Sequence, residues 1–172
     1  MSLPTNDPSP IDPPTKDDLL ALRRAMAWRH HLIGWIALLV FLSLGAFLEF
    51  LHGFRLAFYL NQANHLRREL WTLAHAHGTL LGLINIGFAV GVTQFGAWTA
   101  GRLKLVSFFL LDAAVLIPLG FFLGGIAPSE GDPWLGILLV PPGALLLFIA
   151  IGVVIYSALD EPEPPAGPTT GG

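Results

Sequence analysis

The 172-residue sequence has no cysteine, and only 12% of its residues are charged. Without cysteine, these residues form no disulfide bond, thiolate-held iron–sulfur cluster, covalent c-type haem attachment or thiol nucleophile. The charged fraction is about half of the roughly 25% that is typical of soluble domains. Hydrophobic residues make up 53% of the sequence. This composition indicates an integral membrane protein.

The apolar residues fall into four long runs separated by short polar segments. Each run is long enough to cross a hydrocarbon core of ~30 Å as a helix that rises ~1.5 Å per residue. Lipid offers no partner to free backbone groups, so continuous runs of this kind fold as helices. We therefore predict an all-α, four-helix transmembrane bundle, with spans at about 32–51, 73–95, 105–126 and 134–156.

The segments that flank the spans are expected to behave differently from one another. Proline, glycine and acidic residues predict disordered tails at 1–14 and 160–172, on either side of a membrane domain at 15–159. Thr15 is followed by acidic residues, which is typical of a capped helix start. Residues Leu19–His31 are expected to continue that helix into the first span.

The connection Gly53–Thr72, between the first two spans, carries leucines at helical spacing opposite polar residues. This pattern predicts a short amphipathic helix that lies on the membrane surface. The same residues are also compatible with extensions of the two flanking spans beyond the membrane.

Basic residues predict the orientation of the bundle. Six lysines and arginines fall on the side of both termini, and three on the opposite side: Lys16, Arg23, Arg24, Arg29, Arg102 and Lys104 against Arg55, Arg67 and Arg68. Because cytoplasmic loops are enriched in basic residues, we expect both termini in the cytoplasm, in a bacterial inner membrane. Basic residues this few, at headgroup level, give no support to nucleic-acid binding.

Ionisable residues within or beside the spans are the main functional signal, since they are costly there and mark sites. Glu49 and His52 lie three residues apart on one face of the first span. His75 and His77, near the start of the second, are separated by about 200° around a helix. All four are expected in one layer near the outer membrane face. His75, on the glycine-containing side of its helix, is the better candidate for an internal site.

A second polar layer is expected deeper in the membrane. Counting residues from the ends of their spans places Asn85 and Asp112 at similar depth, where they are predicted to form a hydrogen-bonded pair. Such a pair is either a structural clasp or part of a proton or quinone pathway.

Imidazoles at one height suggest a cofactor. Neutral imidazole ligates haem iron and transition metals, so His75, His77 and His52 are candidate cofactor ligands. For a metal ion the candidate set is His75, His52 and Glu49, with the carboxylate either ligating directly or orienting a histidine. The alternative is that these are ordinary residues of the membrane interface, whose polar ends contact water and bind no cofactor.

The segment from Trp71 through Ala74-His75-Ala76-His77-Gly78, ending in Phe95-Gly96-Ala97-Trp98, resembles the second helix of haem–copper oxidase subunit I. The acidic Glu49 near the outer end of the first span adds to this resemblance. It implies that His75, with His77 as alternative, is an axial haem ligand. Only two of the four spans are covered, and the later histidines of that family are missing. The layout also resembles the four-span hydroxylaminobenzene mutase-like proteins.

Three functional readings follow. The first is a small oxidase-subunit-like protein that binds haem or a metal near the outer face. The second is a mutase-like or quinone-linked membrane enzyme. The third is a non-catalytic subunit or assembly partner, as a homo-oligomer or in a larger complex. In that third reading, the contact faces are the glycine pairs, which otherwise serve packing inside the bundle: Gly78/Gly82, Gly87/Gly91 and Gly120/Gly124.

Overall fold

The computed structural model of the protein describes residues 15–61, 65–129 and 131–160. Its helices are α1 (Lys16–Gly53), α2 (Ala57–Leu60), α3 (His65–Gln94), α4 (Ala100–Gly124), a 3₁₀ helix (Leu135–Leu139) and α5 (Val140–Leu159). Among the described residues, four helical segments are long and apolar enough to cross a membrane: α1, α3, α4 and Leu135–Leu159. The predicted all-α four-helix bundle is confirmed, and the chain is a multi-pass membrane protein.

Helix α1 begins where the sequence pattern placed its start. Thr15 Oγ1 accepts a hydrogen bond from the Asp18 backbone N–H, and an Asp18 carboxylate oxygen accepts one from the Thr15 N–H. This reciprocal capping satisfies backbone donors that the first helical turn leaves free. The helix then continues through Leu19–His31 into the first span without a break. The predicted tails, 1–14 and all of 160–172 except Asp160, lie outside the described residues.

The connection between the first two spans matches the predicted alternative, an extension of a flanking span, more than a separate surface helix. Besides the single turn α2, its described residues from His65 onward belong to α3, and 62–64 are outside the described residues. The leucine spacing that suggested a separate amphipathic helix therefore belongs largely to the first turns of α3, which continue the second span outward.

The fourth span changes its helix type along its length. It starts as the 3₁₀ helix and becomes α-helical at Val140, with Pro141 and Pro142 in the first turn of α5. Proline is favourable there because the first-turn N–H groups have no partner within the helix. Pro118, by contrast, lies inside α4 and is buried.

The four spans do not all pack on one another to the same extent. Helix α3 packs extensively against α1 and also against α4, α5 packs mainly against α4, and α1 meets α4 over a smaller contact. The spans α3 and α4 are accordingly more buried than α1 and α5. The outward surfaces of all four spans carry exposed large apolar side chains, which in a membrane protein contact the lipid bilayer.

Helices α1 and α3 approach closely at glycine. A Cβ atom placed on Gly34 would lie 2.8 Å from the Gly82 carbonyl oxygen and 2.6 Å from an Ile86 side-chain carbon. The Phe41 ring occupies the space beside Gly78 in the same way. Small residues let helix backbones come together where lipid provides no hydrophobic drive.

Two of the three predicted glycine pairs are used inside the chain. Gly78/Gly82 faces α1, and Gly120/Gly124 faces the residues that open the fourth span. Gly87 and Gly91 instead have no atom within 4 Å of the position where a Cβ would lie.

Arginines cap the carboxyl ends of neighbouring helices. Arg23 donates to the Val92 carbonyl at the end of α3, Arg67 to the Gly125 carbonyl after α4, and Arg68 to the Tyr59 carbonyl in α2. Cations are favourable there because the last carbonyls are unpaired and carry the negative end of the helix dipole.

The glycine contact between α1 and α3 predicts that a larger side chain destabilises the protein at Gly34 but not at Gly87. Gly34→Leu should lower the thermal midpoint of unfolding in mild detergent, because overpacking a close contact costs about 1–3 kcal/mol. The matched control is Gly87→Leu, which has open space and should leave the midpoint unchanged or raise it. Equal losses in both variants, measured by circular dichroism, would contradict this packing.

Candidate functional site

A pocket of about 360 Å³ lies between α1, α2 and α3, on the membrane side opposite the termini. Its polar lining consists of five side chains: Glu49, His52, Tyr59, Thr72 and His75. We call it the distal pocket. Three of the residues proposed from the sequence as ligands therefore line one cavity, Glu49 and His52 from α1 and His75 from α3.

His75 is held in one orientation by α1. Its Nδ1 lies 2.6 Å from the Phe41 carbonyl oxygen, and its ring lies against Gly45, where any larger residue would collide with it. A carbonyl only accepts, so Nδ1 carries a proton, and in the neutral imidazole Nε2 is then the nitrogen with the lone pair. Among the described residues Nε2 has no hydrogen-bond partner. This arrangement, with one nitrogen fixed by a carbonyl, is typical of a metal- or haem-ligating histidine.

His77 occupies a different face of α3. Its Nδ1 bonds to the Leu73 carbonyl of its own helix at 2.9 Å, and its ring lies 4.8 Å from the Phe121 ring of α4. The two-residue spacing thus directs His75 toward α1 and His77 toward α4. The structure does not bring His77 into the distal pocket.

A second cavity, of about 520 Å³, adjoins the distal pocket. His52, Tyr59 and Thr72 line both cavities, so the two form one continuous groove. The second cavity adds Arg68 and Glu69, and an Arg68 N–H donates to the Tyr59 carbonyl at 3.1 Å. Charged groups of both signs therefore border the groove.

The distal pocket does not contain a complete set of metal ligands. In the part of the chain that the structure describes, no group of three or more His, Asp or Glu side chains is placed to hold a metal ion. Glu49 and His52 are both exposed, and they share the pocket with His75 without forming such a group.

The predicted pair between Asn85 and Asp112 is not formed. Asn85 is buried, its Nδ2 donates to the Leu81 carbonyl at 2.8 Å, and its Oδ1 lies 2.6 Å from His30 Nδ1. The residue of α4 that lies at this depth is Ser107, five residues or ~7.5 Å before Asp112. The depth estimated from the span ends was wrong because it did not include this shift of α4 along its axis.

Three buried polar residues and one exposed arginine form a cluster that we call the His30 clasp: His30, Asn85 and Ser107, with Arg29. His30 and Ser107 are 0% exposed and Asn85 is 1% exposed. His30 Nε2 lies 2.8 Å from Ser107 Oγ, which also accepts a hydrogen bond from Arg29. The clasp joins α1, α3 and α4.

The hydrogen bonds of the clasp have a defined direction. The Leu81 carbonyl fixes the Asn85 amide so that its oxygen faces His30, and His30 Nδ1 therefore donates. His30 Nε2 then accepts from the Ser107 hydroxyl, while Ser107 accepts from Arg29. Every polar group around the buried imidazole is satisfied, as burial requires.

His30 is not among the residues predicted from the sequence to form a site. The signal that would have found it is its spacing: His30, Gly34, Phe41 and Gly45 recur on one helical face of α1, the face that contacts α3. The adjacent His31 points elsewhere and accepts a hydrogen bond from the Trp35 indole at 3.2 Å.

The distal pocket and the His30 clasp are separate. Between them α1 meets α3 through Gly34, Gly82 and the buried Leu38. Thr79 lies on this stretch of α3, and its buried hydroxyl has no hydrogen-bond partner among the described residues. The described side chains thus provide no continuous hydrogen-bonded path between the two sites.

Comparison with known proteins gives no relative: no family model, curated protein or solved structure matches this chain.

The clasp predicts a large difference between two adjacent histidines. His30→Ala should lower the free energy of unfolding by about 2 kcal/mol, because it removes the hydrogen-bond partner of the buried Asn85 Oδ1 and of the buried Ser107 hydroxyl hydrogen. The control His31→Ala alters only an exposed contact and should change it by less than about 0.5 kcal/mol. Detergent-to-SDS titrations followed by helicity measure both, and equal effects would contradict the clasp.

Proposed function

We propose that the protein is a haem-binding membrane protein in which His75 Nε2 is an axial ligand within the distal pocket. The observation that carries this proposal is the hydrogen bond from His75 Nδ1 to the Phe41 carbonyl. In the neutral imidazole that bond makes Nε2 the nitrogen able to ligate, in a residue that lines the same pocket as Glu49 and His52.

The residues present suit haem better than a bare metal ion. A haem iron takes four ligands from its own macrocycle, so the protein supplies only one or two. A metal ion held by His75, His52 and Glu49 needs a three-ligand group, which the described residues do not form. The small residues Gly45 and Ala46 and the apolar Leu42 line the same pocket and suit a flat apolar ligand.

His75 is the ligand that the pocket favours, and His52 at the exposed rim is available as the second. A bound haem would supply one-electron transfer or the binding of small diatomic ligands. The chain's own residues would hold the group through His75, which the Phe41 carbonyl orients, and Glu49 would add a carboxylate to the lining of the same pocket. This is consistent with the resemblance of Trp71–Trp98 to helix II of oxidase subunit I.

The second candidate is a quinone-linked activity in the same pocket. The distal pocket is lined in part by Leu42 and Ala46, which are exposed on the lipid-facing surface of α1. His75 Nε2 and the Glu49 carboxylate are both acceptors, which suits a membrane-borne amphiphile that carries hydroxyl donors, such as a quinol. The resemblance of the four-span layout to the mutase-like proteins also favours this second candidate, a membrane enzyme.

We further propose that the distal pocket faces outward from a bacterial inner membrane, with both termini in the cytoplasm. The basis is the excess of basic residues at the side of the termini, six against three. Gly87 and Gly91 are the predicted glycine pair that remains available for an oligomeric or larger complex, since the other two pairs are used within the chain.

Haem binding is tested by titrating the purified protein with haem in mild detergent and recording the Soret band. We expect a saturable shift that His75→Ala abolishes, because the axial ligand is lost. The matched control is His77→Ala, which removes a histidine with the same kind of carbonyl contact from outside the pocket and should bind as the wild type does.

Two results would contradict haem binding. One is a wild-type protein that takes up no haem, which would leave the quinol alternative to be tested by the same two variants. The other is equal loss in His75→Ala and His77→Ala, which would indicate non-specific uptake.

A further inference from the structure

Helix α4 presents an exposed apolar stripe with a carboxylate at its centre. Leu105 and Leu119 are each 40% exposed, and Phe108 and Val115 are each 58% exposed. Asp112 lies between them, partly buried. The five positions repeat at spacings of three and four residues, the pattern of a helix face that packs along a second helix.

Asp112 is at the middle of its span. Twelve residues separate it from each end of α4, Ala100 and Gly124, which corresponds to ~18 Å in each direction. Among the described residues it makes no hydrogen bond and no ion pair. A carboxylate at the centre of a span is costly to insert into lipid, and such groups are normally paired.

One end of the stripe borders an open groove. Because α1 packs mainly on α3, a space of about 590 Å³ remains between α1 and α4. Val115 and Leu119 of the stripe line it, facing Ile36 and Val40 of α1, each more than 50% exposed. The two exposed apolar faces and the space between them form a groove that can accommodate one more helix.

We propose that this face docks a transmembrane helix of another membrane protein, and that a lysine or arginine near the middle of that helix pairs with Asp112. The reason for choosing such a helix is charge complementarity between its cation and the Asp112 carboxylate. A second copy of the chain offers no cation at this depth, since Arg29 is engaged at Ser107 and the other basic residues are nearer the membrane surfaces. The groove is separate from the distal pocket, so this proposal does not depend on haem binding.

The test uses the full chain in lipid vesicles with labelled Leu/Ala transmembrane peptides that differ only at their central residue. Energy transfer should show that a Lys-centred peptide binds at least about tenfold more tightly than a Leu-centred one. Asp112→Asn, which keeps the shape of the side chain, should remove most of that preference. Phe148→Ala, an exposed change on α5 outside the groove, should leave it intact.

Charge reversal separates pairing from a structural role. Asp112→Lys should reject the Lys-centred peptide and bind an Asp-centred one in its place. Equal binding of the Lys- and Leu-centred peptides by the wild type would overturn the proposal, as would an Asp112→Asn variant with an unchanged preference. A self-association that is lost in Asp112→Asn, without any preference for Lys, would also overturn it in favour of a second copy.

Discussion

The close contact between α1 and α3 is the interaction on which the rest of the bundle depends. Gly34 meets the Gly82 backbone, and the Phe41 ring covers Gly78, so the two helices approach at a distance that larger residues would not allow. In lipid, apolar surface gains little from burial against another helix, and association relies on close packing and hydrogen bonds. The orientation of every polar group along this interface follows from that approach.

Both polar sites are built on this interface. Toward the distal side, His75 lies against Gly45 and donates to a carbonyl of α1, and its Nε2 has no hydrogen-bond partner among the described residues. Toward the side of the termini, His30 of α1 reaches Asn85 of α3 and Ser107 of α4. One imidazole is fully satisfied and structural in character, whereas the other retains a free acceptor, which is what binding requires.

The sequence predicts the four spans well because hydropathy and length are local properties of each segment. It also predicts that His75 and His77 face different ways, since helical geometry alone sets that angle. It does not predict that Asn85 pairs with His30 of α1 rather than with Asp112 of α4, because that depends on how the helices are aligned along their axes. It missed His30 for a related reason, because a histidine at the end of an apolar run is informative only when its helical face is known.

The register of α1 on α3 is tested most directly by disulfide cross-linking, which is unambiguous here because the natural chain has no cysteine. A Cβ atom on Gly82 would lie 3.3 Å from the Ala37 Cβ, close to the ~3.5–4.5 Å separation of disulfides. Oxidation of Ala37→Cys/Gly82→Cys in membranes should form an intrachain bond, whereas Ala37→Cys/Gly87→Cys should remain reduced. An unlinked first pair, or equal linking of both pairs, would contradict the interface on which the distal pocket and the His30 clasp depend.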